Sequence, residues 1–296
     1  AKGGSESIGK YLVVEPLDEG GQGQVFRVLH PGLGNDLVLK LSRKSVAATA
    51  EEKDQLVAEG RLLAGLEHPN LVRVVDLDFH QGRPFLVMEY VPGRHLEQFA
   101  AQERISPRRA AMLVAELARV VGLIHRKGIV HLDIKPRNVL IDETGRPRLI
   151  DFGMARLRHA WTDGAGGPTG GTLAYMAPEQ ARGESDRIGP AADVFALGGV
   201  LYFLLTGQAP FAGRDSREVW ERAKRCELDL EALRRAKVPR RLERICREAL
   251  KAEPDDRCAT ADDLALALER YTTLPRRAVA GLAVLGGLAL IPAMLA

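Results

Sequence analysis

The sequence predicts an α+β fold, with strands near the amino terminus and helices in the remainder of the chain. Up to residue 90 the apolar segments are short and are bounded by turns containing glycine, proline and polar residues, as is typical of strands. From residue 95 onward, apolar residues recur at helical spacing over longer segments. The length of 296 residues corresponds to about two domains, so two structural units fit.

Composition and charge are those of an ordinary globular chain. Hydrophobic residues make up 46% of the sequence and charged residues 27%, which argues against disorder. The 42 basic and 39 acidic residues leave a net charge of +3, so we expect no nucleic-acid partner. Cys226, Cys246 and Cys258 are odd in number and lack Cys-x-x-Cys spacing. We therefore expect reduced thiols rather than a disulfide framework or a zinc site.

The first two predicted strands flank a glycine-containing turn, Asp18-Glu19-Gly20-Gly21-Gln22-Gly23. Glycines let backbone amides approach phosphate groups closely, although a plain hairpin turn explains this segment about as well. In the third strand Lys40 points to the same side as Val38, because side chains alternate along a strand. The predicted strands cover residues 12–17, 24–29, 38–40, 71–78 and 84–90.

Six further segments have the apolar pattern of helices. The longest begins with Ser106-Pro107, a capping residue followed by a first-turn proline. Its apolar stripe is assigned to the core and contains Met112, Leu113, Leu117, Val120, Val121 and Ile124. The predicted helices cover residues 51–66, 95–101, 106–127, 217–226, 240–251 and 260–271.

One segment carries the residues of a chemical reaction: His131-Leu132-Asp133-Ile134-Lys135-Pro136-Arg137-Asn138, followed after a predicted hairpin by Asp151-Phe152-Gly153. Phosphoryl transfer needs a base or orienting group for the incoming hydroxyl, a cation near the phosphate and oxygen ligands for Mg²⁺. Asp133 can serve as the base and Lys135 as the cation. Asn138 and Asp151 offer the hard oxygen atoms that Mg²⁺ prefers. A loop whose polar residues only cap turns is the weaker interpretation, because the whole ordered set is present.

This segment resembles the catalytic core of the protein kinases, His-Arg-Asp-Leu-Lys-Pro-x-Asn followed by Asp-Phe-Gly. The resemblance covers residues 9–272 and is nearest to the eukaryotic-like (Hanks-type) bacterial Ser/Thr kinases that carry a membrane segment after the kinase domain. It implies a two-lobed protein-kinase fold, with a small antiparallel-sheet lobe containing one main helix, a larger mostly helical lobe, and ATP between them. The implied reaction transfers the γ-phosphate of ATP to Ser or Thr of a protein, with Mg²⁺ as the second cofactor.

The resemblance assigns the nucleotide-binding residues of the small lobe. Its glycine-rich loop corresponds to Leu17, Gly20, Gly23 and Val25, with Asp18 in place of the first glycine. An aspartate at this position would weaken nucleotide binding or point outward.

The same resemblance places the α- and β-phosphates on Lys40, held by an ion pair with Glu59 of the helix at 51–66. A solvated Glu59 is the alternative. Met88 corresponds to the gatekeeper residue, and the backbone of Glu89 and Val91 would bond the adenine.

In the large lobe, residues 154–175 resemble the activation segment. Thr172 would bond Asp133 and Lys135, and Lys135 itself indicates Ser/Thr rather than Tyr specificity. Thr169 is the candidate autophosphorylation site. Three further positions are implied to be structural: Asp193 would anchor the catalytic loop, and Glu179 and Arg257 would form a buried ion pair.

Two residues of the catalytic loop depart from the family pattern. Leu132 replaces an arginine that normally pairs with an activation-loop phosphate, so we expect activity that does not depend on phosphate docking there. Arg137 replaces a common glutamate near the substrate groove. Its charge should disfavour basic substrate residues and favour acidic ones, unless Arg137 is simply a solvated surface residue.

The carboxyl-terminal segment is a candidate membrane anchor. Residues 278–296 contain no charged or polar side chain and would span about 28 Å as a helix, close to a bilayer core. Arg276-Arg277 precede it, which predicts a cytoplasmic kinase domain. Its glycines permit helix pairing in a homodimer; a buried helix is the alternative. The expected organisation is a flexible terminus (1–8), the small lobe (9–90), the large lobe (91–272), and a juxtamembrane and transmembrane segment (273–296).

Two other functions fit part of the evidence. A pseudokinase, acting as a membrane-tethered binding module, is suggested by Asp18 and Leu132. A small-molecule phosphotransferase of the aminoglycoside-kinase type shares a catalytic aspartate. Residues 171–179, Asp193 and Arg257 of this chain argue against that alternative, because they belong to the protein-kinase pattern.

Overall fold

The computed structural model describes residues 6–20, 23–43, 60–61, 63–150 and 173–273. In these residues a small lobe with a six-stranded antiparallel sheet precedes a larger helical lobe, which begins with a second sheet of three antiparallel strands. The strands are β1 (Ser7–Ile8), β2 (Tyr11–Gly20), β3 (Gly23–Leu29), β4 (Asp36–Ser42), β5 (Val74–His80), β6 (Arg83–Glu89), β7 (Gly93–His95), β8 (Val139–Asp142) and β9 (Pro147–Leu149). The helices are α1 (Leu96–Gln102), α2 (Pro107–Arg126), α3 (Pro178–Arg182), α4 (Pro190–Thr206), α5 (Ser216–Arg225), α6 (Glu231–Arg235), α7 (Arg240–Ala249) and α8 (Ala261–Thr273).

The small-lobe sheet has the strand order β1-β2-β3-β4-β6-β5. Apolar residues of its strands form a compact core, in which Tyr11, Leu39 and Phe85 are fully buried. The register places Val25 opposite Lys40 and Val38 opposite Met88. The glycine-containing hairpin, the strand of Lys40 and the segment that leads into the large lobe are therefore neighbours in one sheet.

The strand predicted at 71–78 begins three residues later, at Val74. The two preceding apolar residues pair with β9 instead: Leu71 forms a bridge with Leu149, and the Val72 amide donates to the Leu149 carbonyl at 3.0 Å. Both Leu71 and Val72 are buried in the large core cluster. Their apolar character therefore reflects packing against the large lobe and not a place in the small-lobe sheet.

Helix α2 lies in the large-lobe core and packs against α4 and α8. It begins as predicted, because the Ser106 hydroxyl accepts a hydrogen bond from the Arg109 amide at 3.2 Å and Pro107 occupies the first turn. Most of the predicted stripe is buried, but the assignment of Met112 to the core was wrong, since this residue is 39% exposed. Met112 lies about 100° around the helix from the buried Leu113, which turns it towards solvent.

Helix α4 is apolar on nearly all sides and buried along most of its length, as is typical of a central helix. Helix α6 was not predicted, since five residues are too few to show a helical period. The helix predicted at 51–66 lies mostly outside the described residues.

The three cysteines are free thiols. Cys246 is fully buried, and burial raises the pKa of the Cys226 thiol to about 11, which keeps it protonated at neutral pH. Across the described residues, no helix combines the length and the apolar character needed to cross a membrane; the segment at 278–296 lies outside them.

Candidate active site

The catalytic loop connects α2 to β8, and its last three residues, Pro136–Asn138, form one turn of 3-10 helix. Asp133, at the centre of the loop, is 7% exposed. The Lys135 Nζ lies 3.0 and 3.1 Å from the two Asp133 carboxylate oxygens. The Asn138 Nδ2 donates to the Asp133 carbonyl at 2.8 Å and to its Oδ2 at 3.1 Å. The fold therefore brings together three of the residues that the sequence assigned to phosphoryl transfer.

These contacts fix the orientation of the Asp133 carboxylate before a substrate arrives. A fixed carboxylate can accept the proton of an incoming hydroxyl, and the adjacent ammonium can stabilise charge on a transferred phosphoryl group. The Asn138 amide nitrogen is engaged with Asp133, which leaves its oxygen as the atom that suits Mg²⁺. The second predicted metal ligand, Asp151, lies outside the described residues.

Asp193, in the first turn of α4, binds the backbone of the catalytic loop. Its side chain is completely buried and accepts the backbone amides of His131 and Leu132, both at 2.7 Å. The His125 Nε2 lies 2.8 Å from the same carboxylate. The Asp193 carboxylate thus binds the backbone of the two residues that precede Asp133.

A cleft of about 280 Å³ lies between the lobes. Four residues assigned to nucleotide binding line it: Leu17, Val25, Glu89 and Val91. The Glu89 amide already donates to the Arg73 carbonyl at 3.0 Å, so its backbone would contact a base through the carbonyl oxygen. A mostly apolar slot with a few polar groups at its rim suits a planar heterocycle.

Sequence reasoning missed several residues of this cleft. Val72, Leu140 and Ile150 come from three separate segments, and their apolar character gave no sign that they meet at a ligand site. Strand periodicity shows which side chains share a face, but it does not show which distant segment covers that face. The remaining unassigned lining residues are Tyr90, Gly93 and His95, whereas strand alternation predicts Val38 on the cleft side together with Lys40.

The glycine-containing hairpin requires glycine at position 23. The residue has a φ of 155°, and a Cβ atom there would clash with the backbone oxygen of Leu41. Gly20 lies opposite Gly23 across the hairpin, and Asp18 lies opposite Val25. The close approach of β3 to β4 therefore depends on the absence of a side chain at Gly23.

Lys40 lies on β4 and is only 3% exposed, opposite Val25 of β3 and Leu86 of β6. A lysine so deeply buried in a strand is rare unless it has a partner. Its predicted partner Glu59 lies outside the described residues, as do Thr169 and Thr172. Their assignments stay predictions.

Glu179 and Arg257 form a fully buried ion pair with two contacts of 2.7 Å. Arg257 also donates to three backbone carbonyls, those of Ala191, Ala252 and Lys251, so all of its five N–H groups are used. Its guanidinium lies 5.0 Å from the ring centre of Phe195. The pair joins α3 to the segment before α8, away from the cleft.

The two departures from the family pattern have structural counterparts. The Leu132 side chain packs against the large core cluster, and its carbonyl accepts a hydrogen bond from the Gln180 Nε2 at 3.3 Å. The Arg137 Nη2 lies 2.8 Å from the Asp18 Oδ2, across the cleft. The unusual arginine is thus paired with the unusual aspartate, which neither interpretation of Arg137 anticipated.

A sequence profile described as the protein kinase domain matches residues 11–266. The chain belongs to the protein kinase family. The kinase is 34% identical over 274 residues to the serine/threonine-protein kinase PkaA of Streptomyces coelicolor, covering 88% of this chain and 49% of PkaA. It is 30% identical over 262 residues to the serine/threonine-protein kinase PrkC of Bacillus subtilis, covering 88% of this chain and 40% of PrkC. The chain thus spans half or less of the length of these relatives.

The kinase is also similar to the crystal structure of the PknI kinase domain of Mycobacterium tuberculosis. The TM-score is 0.69 at 25% identity, over 91% of this chain and 99% of that one. The two-lobed protein-kinase fold predicted from the sequence is therefore confirmed, and these relatives support the predicted Ser/Thr kinase class. As in other protein kinases, the cofactors are ATP and Mg²⁺.

Proposed function

We propose that the whole protein is a signalling kinase, which transfers the γ-phosphate of ATP to Ser or Thr hydroxyls of partner proteins and phosphorylates itself. The observation that carries this proposal is the contact of Asp133 with both Lys135 and Asn138. An aspartate held between a cation and an amide that suits Mg²⁺ supplies three of the groups that phosphoryl transfer needs.

Each residue has one task in this proposal. Asp133 orients the acceptor hydroxyl and accepts its proton, while Lys135 offsets charge on the transferred group. Lys40 holds the α- and β-phosphates. Asn138 and Asp151 hold Mg²⁺, which neutralises phosphate charge when it is bound.

The test is autophosphorylation of the 296-residue chain with Mg²⁺ and γ-labelled ATP, followed by phosphoamino-acid analysis. We expect labelled phosphoserine or phosphothreonine in the wild type and none in Lys40→Met or Asp133→Asn. Mapping the labelled sites tests Thr169 directly. Label on tyrosine alone would contradict the proposed acceptor.

The alternative is a pseudokinase that binds nucleotide without transferring phosphate. One feature favours it: Asp18 replaces the first glycine of the glycine-rich loop and lines the cleft, where its negative charge would repel the phosphates of a nucleotide. Binding of Mg·ADP, together with no transfer to the protein itself or to a Ser/Thr-rich acceptor such as casein, would establish this alternative.

We also propose that residues 278–296 tether the kinase to a membrane, with the kinase domain in the cytoplasm. The proposal is supported by their apolar composition and by Arg276-Arg277 before them. Expressed in bacterial cells, the full chain should stay in the membrane pellet after an alkaline carbonate wash, while a chain ending at residue 275 should not. Equal release of both would contradict the tether. Cross-linking of the pellet tests whether the tail also forms a homodimer.

A further inference from the structure

We propose that Asp18 and Arg137 form a clasp across the mouth of the nucleotide cleft, which holds the glycine-containing hairpin against the catalytic loop and slows nucleotide release. The inference rests on the proposed function in one respect, since it takes the cleft to be the nucleotide site. Both are positioning residues and not catalytic ones: the pair holds the hairpin against the loop, and its two charges add an electrostatic effect on the phosphates.

The geometry places the two side chains on opposite sides of the cleft. Asp18 lies on β2, just before the glycine turn, and Arg137 lies within the 3-10 turn between Lys135 and Asn138. The pair joins residues 119 positions apart at 2.8 Å, and both line the cleft. It therefore connects the part of the small lobe that covers a nucleotide to the part of the large lobe that carries the catalytic residues.

Asp18 and Arg137 are each oriented by a further hydrogen bond. The Asp18 Oδ1 accepts the Glu19 amide at 2.9 Å, which leaves Oδ2 for Arg137. The carbonyl of Arg137 lies 2.7 Å from the His95 Nδ1, a contact that ties the 3-10 turn to the end of β7. The guanidinium is thus presented to Asp18 from an anchored backbone.

Charge makes the two partners unequal. An unpaired aspartate at the cleft would repel the phosphates of ATP, and an arginine beside it offsets that repulsion. Removal of Arg137 should therefore harm nucleotide binding more than removal of the Asp18 charge. This asymmetry distinguishes a clasp at a phosphate site from an incidental surface pair.

The pair is suited to repeated opening. The Arg137 and Asp18 side chains are 59% and 48% exposed, and exposed ion pairs change an equilibrium by no more than about fivefold. Salt screens such pairs. A contact of this strength slows release of a nucleotide without trapping it.

The experiment is a double-mutant cycle on the 296-residue chain with the variants Asp18→Asn, Arg137→Gln and the double variant. The probe is a fluorescent Mg·ADP analogue, whose dissociation rate is followed by stopped flow. We expect release to accelerate about twofold in Asp18→Asn and about fivefold in Arg137→Gln. The double variant should release no faster than Arg137→Gln, because the repelling charge has gone with its partner. Effects that simply multiply, or unchanged release rates in both single variants, would overturn the clasp.

Three further measurements test whether the change in release rate comes from this ion pair. The reversed pair, Asp18→Arg with Arg137→Asp, should bring the release rate back to within about twofold of the wild type. Raising NaCl from about 50 to 500 mM should accelerate release more in the wild type than in the double variant. Glu253→Gln is the matched control, since it removes an exposed ion pair with Arg187 in the large lobe and should leave release unchanged. Failure of the reversed pair, in a protein with wild-type melting temperature, would count against the clasp.

ADP release needs no phosphoryl transfer, which separates this inference from the proposed function. A protein that transfers no phosphate but shows the coupling keeps the clasp and loses the proposed activity. An active kinase without coupling loses only the clasp.

Discussion

Asp193 holds Leu132 in a left-handed backbone conformation, with its Oδ1 accepting the Leu132 amide at 2.7 Å and a φ of 60° at Leu132. This conformation is uncommon for a residue with a side chain such as leucine. The other carboxylate oxygen accepts the His131 amide, also at 2.7 Å. The buried Asp193 carboxylate thus offsets the strain at Leu132, and it fixes the backbone that orients the next residue, Asp133.

Asp193→Asn tests this support. An asparagine presents one oxygen where two amides need acceptors, so a buried N–H group loses its partner. We expect the free energy of unfolding to fall by about 1–3 kcal/mol. Transfer should slow by roughly tenfold to 100-fold as Asp133 shifts. Urea denaturation and single-turnover transfer measure the two effects.

The control for this variant is Asp186→Asn, which changes an exposed carboxylate of the same lobe and should alter stability by less than about 0.5 kcal/mol. An Asp193→Asn protein with wild-type stability and wild-type rate would show that the catalytic loop does not depend on this carboxylate.

Arg257→Met should destabilise the large lobe strongly. It leaves the carboxylate of Glu179 buried without its partner, which costs about 3–5 kcal/mol. The double variant with Glu179→Leu should be less destabilised than Arg257→Met alone, since no buried charge remains. Urea denaturation followed by circular dichroism measures both. The exposed Arg187→Met provides the comparison, and a loss for Arg257→Met no larger than that of this control would contradict the prediction.

Activity should not depend on a phosphate docked beside the catalytic aspartate. Leu132 offers no positive charge there, and its side chain packs against the core. We expect protein treated exhaustively with phosphatase to transfer phosphate in its first turnover at a rate within about twofold of the untreated protein. Thr169→Ala should behave in the same way. An inactive dephosphorylated protein that one activation-segment phosphate restores would contradict this prediction.

Stability should decrease on mild acidification because of His68. The imidazole Nδ1 accepts a hydrogen bond from the Asn70 amide at 3.1 Å, which requires the neutral ring. The pKa of His68 is lowered below its usual 6.5, chiefly by burial and to a lesser extent by the positive charge of Arg148. The unfolded chain therefore binds this proton first. The contribution of neutral His68 to the free energy of unfolding is complete above pH 6.5, and it is lost as the pH falls through the lowered pKa of the folded state.

His68→Asn keeps an acceptor for the Asn70 amide but cannot titrate. Urea denaturation at pH 7.5 and at pH 5 should show a smaller loss of stability in this variant than in the wild type. Equal losses in the two proteins would show that His68 does not contribute to the pH dependence.

Much of the fold follows from local pattern. The turn chemistry around residues 18–23 and the cap at Ser106-Pro107 specify a hairpin and a helix, and both form. Errors arose where packing overrides pattern. Leu71 and Val72 are apolar because they meet Leu149, and Met112 lies just beyond the buried face of its helix.

The residues of the candidate active site could be predicted from the sequence only in part. Asp133, Lys135 and Asn138 form one ordered motif, so their proximity could be inferred from a few positions of sequence. Asp18 and Arg137 are far apart in the chain, and each departs from the family pattern in isolation. Only the closure of one lobe on the other brings them together, and no local rule describes that closure.

The most direct test of phosphoryl transfer at Asp133 is the single-turnover rate of γ-phosphate transfer by Asp133→Asn, measured beside its affinity for Mg·ADP. We expect the rate to fall by about 100-fold to 10,000-fold while the dissociation constant stays within about threefold of the wild type. A variant that transfers phosphate as fast as the wild type would contradict the assignment of Asp133 as the catalytic residue.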